Sequence, residues 1–364
     1  MRNIDFVLGS QYGDEGKGMV AKLIADKAAE LGNPYAWTGR VGAQNAEHRF
    51  VHDSVPFTGR VFPSAAADRD IIAILGAGHC FRPEHFHREA VHLRVRNIDR
   101  DHVKVDPHAM WLKDHHAEIN LATGNSRATT GWGVGAAVAE KVRRQHGTQL
   151  IGSCPEMEPF LEDIPVWLDQ NQNLSGLMEG SQGAMLSLDH GHFPYSTAKN
   201  VSATAAASEM GFSHKRINKV FGVARLVFMR VPGPSGPTGG QEVSYDQVEE
   251  RTGLRLPHHQ RLQGDTSRWT AGMSPDKADE ERLFDFSMWE LKKSHALNGY
   301  DGIAITFVDY HRKDNYAAKK WSDLHKDTKN LIEQISREVA PVFLVRTGQG
   351  EHDNIWLCNP WDIR

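Results

Sequence analysis

A ten-residue glycine-rich run near the amino terminus limits what this chain can become. Gly9-Ser10-Gln11-Tyr12-Gly13-Asp14-Glu15-Gly16-Lys17-Gly18 follows the apolar triplet Phe6-Val7-Leu8. It precedes a helical pattern, Val20, Leu23, Ile24 and Ala28 on one face, stopped by Gly32. Strand, glycine loop and helix in that order make a phosphate cradle. Glycines let backbone N–H groups turn toward an anion, the helix start adds its positive dipole end, and a lysine reaches over the phosphates. The spacing departs from the ordinary G-x-x-x-x-G-K-[ST] loop: Gln11 stands where that pattern wants glycine, and Gly18 lacks the hydroxyl that would meet Mg²⁺. Asp14 and Glu15 also place an acidic pair in the loop, where it repels phosphate unless it binds a metal or does chemistry. The alternative is a glycine-rich turn without a ligand.

Composition narrows the class. At 364 residues the chain can bury a sizeable core, as one large α/β domain or two ordinary ones. Charged residues make up 24% and no apolar run approaches a membrane span, so no membrane partner is expected. A formal net charge of −4 argues against a nonspecific nucleic-acid binder. Cys80, Cys154 and Cys358 are scattered and odd in number, which disfavours a disulfide framework, and Met1-Arg2-Asn3 leads directly into the first strand. Both point to a cytoplasmic protein. Histidines cluster at His85 and His87, His115-His116, His190 and His192, and His258-His259, but none has H-E-x-x-H spacing or joins a cysteine pair. Surface or hydrogen-bonding roles are expected for most of them, and no structural zinc.

Apolar patterning alternates between strand and helix. Strands are expected at Ile71–Gly76, Asn218–Val231, Gly302–Asp309 and Val342–Val345, and helices at Glu84–Leu93, Ala136–Arg144, Glu280–Ala296 and around Leu324–Val339. Residues 100–128 show no clear period. Residues 233–275, rich in Gly, Pro, Ser and Thr, read as a mobile loop. With no internal repeat or linker, residues 1–364 read as a single α/β domain: one doubly wound, mostly parallel sheet carrying a P-loop-like phosphate loop and inserted substrate loops.

Further motifs follow in order: Gly42-Ala43-Gln44-Asn45-Ala46-Glu47-His48, Thr129-Thr130-Gly131-Trp132-Gly133 with Arg144 after it, Glu179-Gly180-Ser181-Gln182-Gly183, Asp189-His190-Gly191 through Thr197, Gly264 through Thr270, Phe307-Val308-Asp309, and Arg346-Thr347-Gly348. Together with the first loop, close to G-[ST]-Q-[WY]-G-D-E-G-K-G, this series resembles adenylosuccinate synthetases over essentially the whole chain.

The resemblance implies a C–N bond-forming ligase that joins L-aspartate to C6 of a purine nucleotide with Mg²⁺ and a nucleoside triphosphate. Asp14, Lys17, His48 and Gln182 would be catalytic. Gly13, Asp14, Glu15, Gly16, Lys17 and Gly18 would hold the donor phosphates, with Asp14 and Glu47 at the metal. Asn45, Ala46, Thr129, Thr130, Arg144, Gln182, Thr197 and Arg268 would bind the acceptor nucleotide, Arg144 reaching in from the partner of a homodimer. Thr266, Ser267 and Arg268 would hold aspartate, and Phe307, Asp309, Thr347 and Gly348 the donor base. Departures from the family pattern fall at Gln44 and Glu47, where histidine and glycine are usual, at Thr270, where a GTP-contacting arginine is lost, and at Phe307, where lysine is usual.

The short length and lost guanine-side contacts look like the phage branch of the family. That branch joins aspartate to dGMP and makes N6-succino-2-amino-2′-deoxyadenylate, with ATP or dATP expected here as donor. An ordinary enzyme using IMP and GTP is the first alternative. A Ras-like nucleotide switch, sharing the loop and Asp309 but doing no chemistry on a second substrate, is the alternative from another class.

Overall fold

The computed structural model describes residues 3–52, 54–68, 70–93, 101–122, 131–144, 146–231, 235–254 and 281–363. Its strands are β1 (Ile4–Gly9), β2 (Trp37–Ala43), β3 (His48–His52), β4 (Val55–Gly59), β5 (Ile72–Phe81), β6 (Val103–Val105), β7 (Met110–Trp111), β8 (Gly176–Gly183), β9 (Ile217–Arg225), β10 (Val227–Arg230), β11 (Glu242–Val243), β12 (Arg282–Asp285), β13 (Gly302–Thr306), β14 (Val342–Arg346) and β15 (Asn354–Trp356). The main sheet runs β15-β14-β13-β9-β1-β8-β2-β5-β6, with β7 also on β5, and every pairing is parallel except β14 with β15. The expected α/β architecture is present.

Period-two burial shows why both faces need helices. Val7, Leu75 and Phe221 point to one apolar cluster, and Phe6, Leu8, Ile74 and Val220 to another. The first is covered by α1 (Lys17–Glu30) and α2 (Pro83–His92). The second is covered by α5 (Ile164–Gln170), α6 (Ala203–Met210), α8 (Met288–Asn298) and α9 (Lys326–Glu338). Helix α3 (Asp114–Ala122) packs on α4 (Val134–Arg143), and α7 is Tyr245–Thr252. Among the described residues no helix is long and apolar enough to cross a membrane.

Four expectations need correction. The stretch 218–231 is not one strand: β9 stays in the main sheet, while β10 pairs antiparallel with β12 in a small sheet completed by β11. The Gln11 side chain causes the parting. Its Oε1 accepts the Arg225 N–H at 2.8 Å and its Nε2 donates to the Arg225 carbonyl at 3.0 Å, which takes up the groups the next rung would use. The helix expected from Glu280 begins instead with β12, where Leu283 and Phe284 face different apolar clusters as strand neighbours must. The strand expected to reach Asp309 stops at Thr306, because Phe307 turns left-handed at φ 53° and Val308–Tyr310 form a 3-10 turn. Within the expected loop, 235–254 holds β11 and α7, the helix opened by a Ser244–Gln247 capping box, while 255–275 lies outside the described residues. The unassigned region contains β6, β7 and α3.

Candidate active site

The glycine loop leaves β1 at the centre of the sheet and enters α1, whose N-cap residue Gly16 is left-handed (φ 79°), with no side-chain cap and no acidic residue in the first turn. The uncapped N–H groups therefore remain available to an anion. Gly13 is also left-handed, at φ 97°. Gly18 is required by what lies against it. A Cβ there would come 2.7 Å from Ser64 Oγ and 2.8 Å from His48 Cβ, so the usual P-loop hydroxyl has no room.

The acidic pair divides in two. Glu15 is fully buried and turned inward: one oxygen accepts the N–H groups of Gln11 and Gly13, each at 3.0 Å, and the other holds Lys17 Nζ at 2.6 Å. Against the cost of burial, Lys17 and these N–H groups keep its pKa below the usual carboxylate value. Its charge is spent on the loop itself, which corrects the expectation that it must meet metal or substrate. Lys17, itself buried, is held by Glu15 rather than extended over a phosphate. Asp14 instead sits at φ 56° with an exposed side chain. Desolvation by the protein packed around its carboxyl raises its pKa, opposed by Arg225 and then Lys17.

His48 starts β3 against the loop. Its Nδ1 meets Glu179 Oε1, and Glu179 is fixed by the Ser64 N–H at 2.7 Å and the Ser64 hydroxyl at 3.1 Å. Burial, then the Arg40 charge, lowers His48 to about 4, while Glu179 is held below its ordinary value despite burial by His48 and Arg40. The ring is therefore neutral, with Nδ1–H donated to a carboxylate that fixes its orientation. Glu179 escaped the sequence reading, although it opens the same motif that supplies Gln182.

Gln182 Nε2 donates to Asn45 Oδ1 at 3.2 Å, which unites two motifs 137 positions apart. The Ala46 carbonyl accepts from Arg40 Nη2 at 2.8 Å, and the Thr197 N–H donates to Leu186. Arg144 is exposed and left-handed (φ 54°) at the end of α4, outside this cluster. Gln44, in the usual histidine's place, is buried and caps the Arg82 N–H at 2.8 Å. Thr129, Thr130, Thr266, Ser267, Arg268 and Thr270 lie outside the described residues.

Phe307 and Thr347 follow the adjacent strands β13 and β14. Asp309 is buried, Oδ1 has no hydrogen-bond partner, and burial lifts its pKa to about 6. Thr347 is consumed by the fold: its hydroxyl donates to the Ala318 carbonyl at 2.9 Å. Gly348 lies against Asp353, whose Oδ2 would sit 2.6 Å from an added Cβ. One face of the Phe307 ring is already covered by the Arg225 guanidinium, 3.7 Å from its centre.

Asp14 suits Mg²⁺: its carboxylate lies at the phosphate loop with no side-chain hydrogen bond or ion pair among the described residues. The Glu47 carboxylate does not, since Arg49 (2.8 Å) and Arg60 already hold it. A second metal candidate, His115, His116 and Glu140, has ligand atoms within 4.8 Å of one another. His116 Nδ1 accepts the Lys113 N–H, so its Nε2 carries the proton and donates to Glu140 at 2.9 Å. That arrangement is a hydrogen-bonded clasp between α3 and α4.

A central parallel strand, a phosphate loop, a helix start and an oriented histidine define a nucleotide-using α/β enzyme. The adenylosuccinate synthetase family profile matches residues 6–160 and 148–316. Adenylosuccinate synthetase of Pyrococcus sp. (strain ST700) is 29% identical over 352 residues, covering 94% of this chain and 95% of that one. The Archaeoglobus fulgidus enzyme of the same name is 30% identical, covering 94% of each. Among solved structures, the cyanophage S-2L succinoaminodeoxyadenylate synthetase, bound to dGMP and dATP, aligns with TM-score 0.79 at 22% identity over 99% of this chain and 97% of that one. The fully ligated Plasmodium falciparum adenylosuccinate synthetase aligns with TM-score 0.78 at 18% identity over 98% and 100%. The chain belongs to the adenylosuccinate synthetase family, enzymes that form a C–N bond.

Proposed function

We propose that this enzyme joins L-aspartate to C6 of dGMP, hydrolysing ATP or dATP and giving N6-succino-2-amino-2′-deoxyadenylate. The observation that carries the chemistry is the convergence of an open Asp14 carboxylate and the Glu179-oriented His48 on one phosphate loop. Asp14 takes the purine N1 proton as the γ-phosphoryl passes to O6. His48 and Lys17, the latter released from Glu15, stabilise the negative charge on the transferring group, and Gln182 and Asn45 position the acceptor. The amine of aspartate then displaces phosphate from C6. Asp14 would hold Mg²⁺, which when bound would neutralise donor phosphate charge.

The dGMP assignment draws on the fold shared with the cyanophage enzyme and on Phe307 replacing the usual lysine at the donor base. ATP or dATP is then used at least as well as GTP. A specific observation favours the second reading, IMP as acceptor: the curated relatives spanning the chain at 29–30% identity are adenylosuccinate synthetases.

The test is phosphate release from the purified protein with Mg²⁺, ATP and dGMP, with and without aspartate. Release should require aspartate, and Asp14→Asn and His48→Gln should each lower kcat by about 10²–10⁴-fold. Slow release independent of aspartate would indicate a nucleotide switch, and near-full kcat in either variant would refute these roles.

A further inference from the structure

Two buried cations lie at the phosphate loop, and they differ in their partners. Lys17 is neutralised by Glu15 at 2.6 Å. Arg225, at the end of β9, is only 1% exposed, yet no carboxylate among the described residues forms an ion pair with it. Its Nη1 donates to the Asp14 carbonyl at 2.8 Å, and its plane lies over Phe307. Nε and Nη2, the two nitrogens of the guanidinium's side-on fork, are shielded from water and have no hydrogen-bond partner. Arg40, equally buried, has Nε, Nη1 and Nη2 all engaged by Ser181, Phe62 and Ala46.

The Asp14, Glu281 and Asp309 carboxylates lie within range of the Arg225 charge, but none makes contact with it. A buried bidentate fork with no hydrogen-bond partner is costly and matches a pair of oxygens on phosphate or carboxylate. The position selects between them. The guanidinium is anchored through Nη1 to a backbone carbonyl of the phosphate loop, at the exposed Asp14, and lies against the Phe307 ring that follows β13. We infer that Arg225 is a donor-binding residue whose Nε/Nη2 fork takes non-bridging oxygens of the nucleoside triphosphate. The inference rests on the reading of this loop as a donor-nucleotide site, and it is independent of which purine accepts aspartate.

The experiment is equilibrium binding of MgATP and of adenosine, with neither acceptor nor aspartate present. It compares wild type with Arg225→Met and with Arg225→Lys, which keeps the buried charge if the methionine variant does not fold. MgATP affinity should fall roughly 10- to 100-fold in Arg225→Met and at least about threefold in Arg225→Lys, with adenosine affinity unchanged. Unchanged MgATP affinity in a folded variant overturns the inference, and so does an equal loss for adenosine. Steady-state kinetics adds one more arm: a KM increase confined to aspartate would assign the fork to that substrate's carboxylate and overturn the inference. Failure of the acceptor assignment alone would leave MgATP binding and its dependence on Arg225 intact.

Discussion

Glu15 holds Lys17 at 2.6 Å inside the phosphate loop, with both side chains buried, so the second of the loop's two acidic residues and its lysine neutralise one another. The same carboxylate accepts two backbone N–H groups and presses on Gly9, where an added Cβ would lie 2.5 Å from Glu15 Oε2. Glu15→Gln keeps the shape, removes the charge and leaves Lys17 as an uncompensated buried cation. The expected loss is ~3–5 kcal/mol of unfolding free energy, measured by urea denaturation. A variant as stable as wild type would show that the pair does not organise the loop.

His48 gives a pH signature. The unfolded chain takes up a proton near pH 6.5, whereas burial and Arg40 hold the folded ring neutral down to about 4. Stability should therefore fall as pH drops through that window, and His79 and His311, also held low by burial, act in the same sense. His48→Asn should flatten the slope of unfolding free energy between about pH 6.5 and 4. An unchanged slope would mean that the ring already titrates normally.

Asp309 works in the opposite sense. Burial lifts its folded pKa to about 6, above the unfolded value of about 3.9, so its stabilising contribution is present at low pH and lost as pH rises through 6. Relative to wild type, ligand-free Asp309→Asn should gain stability between pH 4 and pH 8, by up to about 3 kcal/mol. Thermal unfolding at the two pH values measures it, and a pH-independent difference would contradict it.

Arg144 lies exposed at the end of α4, away from the Asn45–Gln182 contact. If it completes the acceptor site of a partner subunit, mixing Arg144→Ala subunits with Asp14→Asn subunits should restore part of the lost activity. No rescue despite demonstrated subunit exchange would place Arg144 outside a shared site.

The sheet and the order of the site motifs were legible because buried strands write themselves as Phe6-Val7-Leu8 or Ile303-Ala304-Ile305, and glycine loops mark where strands end. Less legible were the places where one side chain decides the backbone's course. Gln11, unusual for a phosphate loop, ends β9 through two hydrogen bonds to Arg225, a residue 214 positions away. Leu283 and Phe284 suit a helix or a strand equally until β10 is present to pair with them. The capping box at Ser244 and Gln247 was readable as S-x-x-Q but lay in a stretch whose composition suggested loop. Asp14 and His48 were singled out from their motifs, and both lie at the phosphate loop. The inward turn of Glu15, the part played by Glu179 and the vacant fork of Arg225 depend on which way a side chain faces, and sequence spacing carries no such information.

Acceptor choice decides what this enzyme makes, and a competition among purine nucleotides reads it out. The purified enzyme would be given aspartate, Mg²⁺ and ATP with dGMP, GMP, IMP and dIMP in one mixture, and products read by mass. IMP and dGMP share the 6-oxo group and N1 proton but differ at the 2-amino group and 2′-hydroxyl. A site with a buried acceptor for the 2-amino group leaves that acceptor unpaired with IMP, a loss of ~1–3 kcal/mol or roughly 5- to 150-fold. The succino product of dGMP should dominate by a ratio in that range. Product from IMP with none from dGMP would contradict it and assign the chain to ordinary adenylosuccinate synthesis.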